Sequence, residues 1–410
     1  MTDTLSTISA GVEAALPELL AFRRDLHQHP ELARDEHRTT NAVATRLEQA
    51  GIRVRRLPGT GLVADIGPEQ PTYRVALRAD MDALPVQERT GLEFSSVVDG
   101  VTHACGHDVH TTALLGAVLA LASVEEDLRE RGTAVRAIFQ AAEEVIPGGA
   151  LEAIAEGVMD GVDAIFALHC DPSLDVGQVG LREGPITAAC DHLTVQLSGR
   201  GGHTSRPQLT EDLTYALAKV VTDVPAALSR RLDPRAGAAL VWGVVRSGTA
   251  SNVIPSSGEC RGTLRMLDAA AWLTVGPLLE EIVQGTVAPY GVQATLDRVK
   301  GVPPVVNQPD AIDAFRLACL AVGLQVAPTG QSLGGEDYSW YLSHAPGAMA
   351  RLGTRTPGGR TFDLHQGDVV IDEDAIGIGA RLLASVVVAH TVKAGGDTLA
   401  IEGVEVVERA

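Results

Sequence analysis

The pattern of apolar runs changes twice along this chain, and those changes limit its fold more than any single motif does. Up to about residue 184, short apolar runs such as GLVADIG, RVALRAD (74–80), AVRAIFQ (134–140) and DAIFALHC (163–170) alternate with helical stretches. RLEQAG closes one helix at Gly51, TALLGAVLALA (112–122) is a buried helix, and ALEAIAEG (150–157) is a third. That alternation predicts an α/β layer with a mostly parallel sheet. From about 186 to 299 the order becomes strand (DHLTVQLSG), helix (EDLTYALAKVVTDVPAALSRR), two strands (AALVWGVVR, GECRGTLRM), helix (DAAAWLTVGPLLEEIVQGTVAPYG) and strand (VQATLDRV). This β-α-β-β-α-β order is that of the split βαβ, ferredoxin-like module. Pro225 and Pro277 fall inside its helices, where a missing donor and a clash with the previous turn predict kinks. After about 300 the α/β pattern returns with PDAIDAFRLACLAVG, GAMARLG and DEDAIGIGARLLASVVVAH. The simplest architecture is an α/β domain over 1–185 and 300–410, interrupted by a ferredoxin-like domain at 186–299, with no clear pattern in the tail 394–410.

A chain of 410 residues, 45% hydrophobic, can bury more core than one domain usually holds, in keeping with two domains. Its 52 acidic and 33 basic residues give a formal charge of -19 with no Lys/Arg run, which repels phosphate backbones and argues against nucleic acid as a partner. The five cysteines, Cys105, Cys170, Cys190, Cys260 and Cys319, are odd in number and widely spaced. They argue against a disulfide framework and for a reducing compartment. The opening MTDTLSTISAGVEAALPELL lacks a basic segment followed by an apolar core, and no apolar run approaches the roughly 20 residues that span a bilayer. A cytoplasmic protein with no membrane association is expected.

Residues 103–117, HACGHDVHTTALLGA, place three histidines, a cysteine and an aspartate within eight residues and then turn apolar. Cys105 and His107 are two apart in a Gly-containing loop, so both can face one point before a helix begins near Asp108. Asp80 and Asp82 follow RVALR, Glu143 and Glu144 follow AVRAIFQ, His169 closes DAIFALH, and His365 lies in FDLHQGD. Ligand sites in open α/β sheets gather at the carboxyl ends of strands, which lets these distant segments form one site. A thiolate, imidazoles and carboxylates together suit zinc and its borderline-soft relatives, whereas calcium or magnesium would take oxygen alone. Neighbouring glutamates point in different directions, so one can bind metal while the other takes a proton from a metal-activated water and passes it to a leaving amine.

Plainer readings exist for each piece: a buried structural cysteine among packed histidines, and a glutamate pair at a solvated helix start. Two other functions also stay open. Cys105 could act as a nucleophile with His107 or His110 as base, hydrolysing amides through an acyl-enzyme, though this leaves Glu143, Glu144, His169 and His365 idle. A non-catalytic metal or ligand binder would have no use for Glu143.

The segments RRDLHQHPEL, ALRADMDALPVQE, HACGHDVH, FQAAEE, ALHCDP, GRGGHTSRP, SNVIP, LGGEDYSWY and LHQGD follow one another between about residues 20 and 390. In that order they resemble the amidohydrolase branch of the aminoacylase and carboxypeptidase-like metallopeptidases, which includes hippurate hydrolases, N-acyl-amino-acid amidohydrolases and indoleacetyl-amino-acid hydrolases. The resemblance implies a zinc-peptidase-like α/β catalytic domain carrying an inserted ferredoxin-like lid that dimerises. It implies two divalent metal ions per subunit, Zn²⁺ or Mn²⁺ with Co²⁺ or Ni²⁺ as options, held by a bridging Cys105 with His107, Glu144, His169 and His365. Glu143 would be the general base and Asp82 would support the metal site from behind. Related peptidases carry a histidine ligand two residues before that aspartate; here Asp80 stands there, which moves ligation onto His107 and Cys105 and leaves Asp80 unassigned.

By the same resemblance, His203 would stabilise the oxyanion, often in the neighbouring subunit's site, and Asn252 and Arg265 would hold a substrate carboxylate. His27 and His29 match an N-terminal motif that shapes structure. Tyr338 where phenylalanine is common, and alanine where proline is common before the glutamates, remove no ligand. The implied reaction is cleavage of the amide bond of an N-acyl amino acid or related small amide, with a dipeptidase or small carboxypeptidase as the rival on the same fold.

Overall fold

The apolar runs of the α/β part pair into one eight-stranded sheet in the computed structural model, which describes residues 2–394. The order across it is Arg53–Arg56, Leu62–Ile66, Thr133–Gln140, Tyr73–Asp80, Ala164–Asp175, Gly347–Arg355, Gln178–Leu181 and Gln325–Pro328. The four middle strands, Thr133–Gln140 to Gly347–Arg355, are mutually parallel. Leu62–Ile66 and Gln178–Leu181 flank them antiparallel, so the sheet is mixed where a mostly parallel one is expected. Both antiparallel junctions join strands remote in sequence, Leu62–Ile66 with Thr133–Gln140 and Gln178–Leu181 with Gly347–Arg355, so no local pattern announces them. The middle strands are apolar on both faces: Val75, Leu77, Val135, Phe139, Ile165 and Phe166 are fully buried.

The chain divides into two units. One comprises Met1–Gly184, Val306–Gly330 and Trp340–Ala410, and the other Pro185–Val305 and Gln331–Ser339. Gln331–Ser339 thus leaves the α/β part, to which its position after residue 300 assigns it. Backbone bonds from Ser332 N–H to Ile186 O (2.9 Å) and from Ala188 N–H to Gly334 O (3.2 Å) tie it to the second unit, together with a bond from Arg265 to the Leu333 carbonyl. Such loop pairings leave no periodicity in the sequence. The tail 395–410 lies outside the described residues.

In the first unit, His107–Ala122 is buried along nearly its whole length, as its apolar run requires. Two further helices pack against it, Thr2–Gln28 and Asp374–Ala394. Gly116 permits the approach, since a Cβ there would lie 2.7 Å from Leu19 and 3.0 Å from Ala380. By length and composition alone, Asp3–Gln28 and Asp374–Thr391 are long and apolar enough to cross a membrane. Their apolar residues are spread among Ala, Gly, Thr and charges, so no uninterrupted run announces them. Most of Asp374–Thr391 is buried in the core of its unit.

In the second unit four strands form an antiparallel sheet in the order Ala239–Ser247, Ser257–Met266, Ala189–Ser198, Gln293–Val302. Helices Leu213–Arg231 and Ala269–Val287 pack on it and on each other, and each runs as a single helix across its proline. Asp212 and Asp268 cap them by accepting from Tyr215 N–H (3.2 Å) and Ala271 N–H (2.7 Å). In Ala189–Ser198, Leu193, Val195 and Leu197 are buried while His192, Gln196 and Ser198 are exposed, the alternation of a sheet covered on one face.

Candidate metal centre

The carboxyl ends of the parallel strands and the turn before His107–Ala122 bring five donors of the first unit together. Gly106 makes that turn with φ +87°, and a Cβ on it would lie 2.8 Å from both Cys170 Sγ and Ile371 Cδ1, so glycine is required for conformation and for space. Cys105 and His107 then sit on either side of it, both buried. His365 adopts φ +64° and is held there by its N–H on Ala104 O (2.9 Å), an uncommon conformation for a residue with a side chain.

Donor atoms of Cys105, His107 and Glu144 all lie within 4.8 Å of one another. Cys105 Sγ is 3.6 Å from His169 Nε2, and Glu144 Oε1 is 3.8 Å from His107 Nε2 and 3.2 Å from His365 Nε2. Ligands about 2.1 Å from a shared ion at tetrahedral angles stand about 3.4 Å apart, which is the spacing seen. Both ring nitrogens of His107 and Oε1 of Glu144 are buried without a well-formed hydrogen bond. Buried polar atoms left in that state are costly, and a cation between His107 Nε2 and Glu144 Oε1 would satisfy those two. The residues present therefore fit a divalent metal.

Contacts behind the donors orient the nitrogen that each ring offers. His169 Nδ1 donates to Cys170 O (2.8 Å), leaving Nε2 as the unprotonated atom beside Cys105. His107 Nδ1 lies 3.3 Å from Asp82 Oδ1, which leaves Nε2 toward Glu144. Asp82 also accepts the N–H groups of Glu143 (3.0 Å) and Glu144 (2.9 Å), so one buried carboxylate ties the histidine turn to the glutamate pair.

Asp80, unassigned from the sequence, lies in a second buried layer. It pairs with Arg78 (2.7 Å) and accepts from His110 Nδ1 (2.6 Å), while His110 Nε2 accepts the N–H of Cys170 (2.8 Å). The donors of Asp80, His107 and His110 also cluster closely enough for an ion, but both nitrogens of His110 are already engaged. His110 is thus a strut between helix and strand. A third such layer is visible at His27, whose Nδ1 bonds Asp108 (2.8 Å) beside the buried Arg23–Asp108 pair. His29 Nδ1 bonds the Asp25 carbonyl (2.9 Å).

Charge follows from these contacts. Burial, helped by the Arg351 charge, holds His169 well below the usual histidine range, so it is neutral. Burial opposes the charged form of His107, yet Asp80 and Cys105 overcome it and raise its pKa well above normal. Burial pushes the Cys105 thiol up, and bonds to Cys105 and Glu144 push His365 up to about 10. A divalent ion must displace these protons. Its apparent affinity is therefore expected to rise with pH between 6 and 9, by about tenfold per pH unit for each proton displaced. Zn²⁺ titrations in buffers of different ionisation enthalpy would measure the release, and a pH-independent affinity would contradict it.

His203, Asn252 and Arg265 all belong to the second unit. His203 is exposed in a two-residue strand paired with Val253, and its Nδ1 accepts from Ser205 N–H (3.1 Å). The neutral ring then carries its proton on Nε2. Asn252 is exposed beside it, with its carbonyl accepting Thr204 N–H (3.2 Å), and Arg265 lies on Ser257–Met266.

The description of peptidase family M20/M25/M40 matches residues 76–389. A Rhodococcus jostii (strain RHA1) protein that bears the name of a glutamate–cysteine ligase is 48% identical over 90% of this chain, but the chain spans only 46% of that relative's length. N-acetylcysteine deacetylase of Bacillus subtilis (strain 168) is 36% identical over 92% of this chain and 98% of its own. Among solved structures, a dinuclear metal-binding peptidase of the M20 family from Bacillus subtilis superposes with a TM-score of 0.81 at 34% identity, over 92% of this chain and 98% of that one. Motifs, fold and relatives agree, and the chain belongs to peptidase family M20/M25/M40.

Proposed function

We propose that this protein is a metal-dependent amidohydrolase that cleaves the amide bond of N-acyl amino acids, with Cys105, His107, Glu144, His169 and His365 holding two divalent ions, zinc or manganese. The observation that carries the reading is the convergence of these donors, with His107 Nε2 and Glu144 Oε1 buried without a well-formed hydrogen bond. Divalent ions bound there supply Lewis acidity to the scissile carbonyl and to the attacking water. Glu143 takes the proton of that water and returns it to the amine nitrogen as the C–N bond breaks, releasing a carboxylic acid and an amine. Asp82 fixes the backbone of the glutamate pair and faces His107. His203 offers Nε2–H to the oxyanion, and Asn252 and Arg265 hold the substrate carboxylate.

A homodimer through the second unit agrees with its open sheet edge, Ala239–Ser247, where Val241 and Val245 are more than half exposed. The thiol alternative finds little support: burial pushes the Cys105 thiol up, away from the reactive thiolate, and His110 is engaged elsewhere.

The test is a hydrolysis screen of N-acetylcysteine, other N-acyl amino acids and dipeptides with defined metals. Chelation is expected to remove activity and Zn²⁺ or Mn²⁺ to restore it. Cys105→Asp should keep part of it, because a carboxylate can also bridge ions. An enzyme indifferent to chelators and inactivated by thiol alkylation would overturn the proposal, and dipeptides as the preferred substrates would favour the peptidase reading.

A further inference from the structure

Three consecutive backbone N–H groups at the head of the glutamate pair are held by carboxylates from elsewhere in the fold. Asp82 takes those of Glu143 and Glu144; that of Ala142 goes to Glu36 Oε1 at 2.7 Å. Glu36 is fully buried, and its second oxygen, Oε2, accepts from Thr60 Oγ1 at 2.6 Å. Ala142 is itself unusual. It has φ +56°, a left-handed conformation that a residue with a Cβ adopts only when its surroundings impose it. From the other side its carbonyl accepts Gly149 N–H at 2.8 Å, where a Cβ on residue 149 would lie 2.0 Å from Ala141 O. The backbone after the strand Thr133–Gln140 therefore takes a left-handed step at Ala142, and the course of Glu143 and Glu144 beyond it depends on that step.

We infer that Glu36 is a positioning residue for the reaction: by accepting the Ala142 N–H it holds the left-handed turn that sends Glu143 toward the substrate and Glu144 toward the metal. The inference rests on the roles proposed for those two glutamates. Nothing in the sequence around Glu36, ARDEHRTT, marks it, because it acts through a backbone group 106 residues away. It touches neither substrate nor metal. Without its acceptor, the Ala142 N–H is buried and unbonded and the turn relaxes toward an ordinary conformation, displacing both carboxylates.

The acceptor and the charge are separable. In Glu36→Gln the amide oxygen can take the Ala142 N–H while its NH₂ donates to Thr60 Oγ1, whereas Glu36→Leu fills the same space with no acceptor. Glu36→Leu is expected to lower kcat and Zn²⁺ affinity about 10- to 100-fold each, as removal of partners behind metal ligands does, with KM little changed. Glu36→Gln should restore both to near wild type. Zn²⁺ affinity is read by competition with a metallochromic chelator, and folding by circular dichroism and thermal melting. A purely structural role would lower the melting temperature and leave kcat per folded site intact.

Wild-type kcat and Zn²⁺ affinity in folded Glu36→Leu would overturn the inference, as would Glu36→Gln being as impaired as Glu36→Leu. If Glu36→Leu does not fold, Thr60→Val decides, since it frees the Glu36 side chain to rotate. A several-fold loss of Zn²⁺ affinity supports the inference and an unchanged affinity overturns it. A wild-type protein that binds Zn²⁺ but hydrolyses no N-acyl amino acid would defeat the proposed activity alone, and the Zn²⁺ series would still decide the role of Glu36.

Discussion

Glu143→Gln is expected to bind metal like the wild type and to turn over about 10² to 10⁴ times more slowly, the usual worth of a positioned general acid–base group. Glutamine keeps the shape of the side chain and leaves untouched the Asp82 bond to the residue 143 N–H, but it cannot accept the proton of the attacking water. Glu144→Gln is expected to fail differently, by losing metal, because Glu144 Oε1 lies within 3.8 Å of ring nitrogens of both His107 and His365. Elemental analysis of dialysed protein and kcat at saturating metal separate the two losses. Equal metal content with equal activity in both variants would refute the division of labour between neighbouring carboxylates.

His203→Ala should lower kcat by about 10² to 10³ without changing bound metal, the cost of removing one preorganised donor from an oxyanion site. The Ser205 N–H bond to Nδ1 fixes the neutral tautomer with Nε2–H as donor, the form this role needs. If the histidine serves the neighbouring subunit, mixing His203→Ala with Glu143→Gln under subunit exchange should recover activity. Random pairing makes roughly half the dimers mixed, each with one complete site, so recovery approaches about a quarter of wild type. No recovery despite proven exchange would confine the histidine to its own chain, and normal turnover in His203→Ala would remove it from the reaction.

Apolar periodicity and strand-end chemistry were readable in the sequence because each is a local pattern. RVALRAD, AVRAIFQ and GAMARLG do form strands of one sheet, and HACGHDVH does place Cys105 just ahead of a buried helix and His107 at its first residue. What stayed hidden depends on contacts between distant residues. Nothing near Asp80 announces that it bonds His110, and nothing near Gln331–Ser339 announces that its backbone bonds to Ile186 and Ala188. Leu62–Ile66 and Gln178–Leu181 join the middle strands antiparallel for a similar reason: strand direction is settled by which neighbour is reached, and the strands' own composition is the same either way. His365 was legible as a histidine near an aspartate, but its left-handed backbone was not, because only the bond to Ala104 imposes it.

The place of Gly347–Arg355 in its sheet also sets a timetable for synthesis. This strand lies between Ala164–Asp175 and Gln178–Leu181, yet the ribosome makes it only after the whole of Pro185–Val305. At about 5 to 20 residues per second, the inner strand Ala164–Asp175 waits roughly nine to thirty-six seconds with one edge bare. That edge carries Ile165, Phe166 and Leu168, all buried in the finished protein, and an open apolar strand is a template for pairing with another nascent chain. His365 emerges later still, after every strand of the sheet has been made. The bare edge of Ala164–Asp175 is therefore covered only once residue 355 has been made, and until then the growing chain carries an open apolar strand.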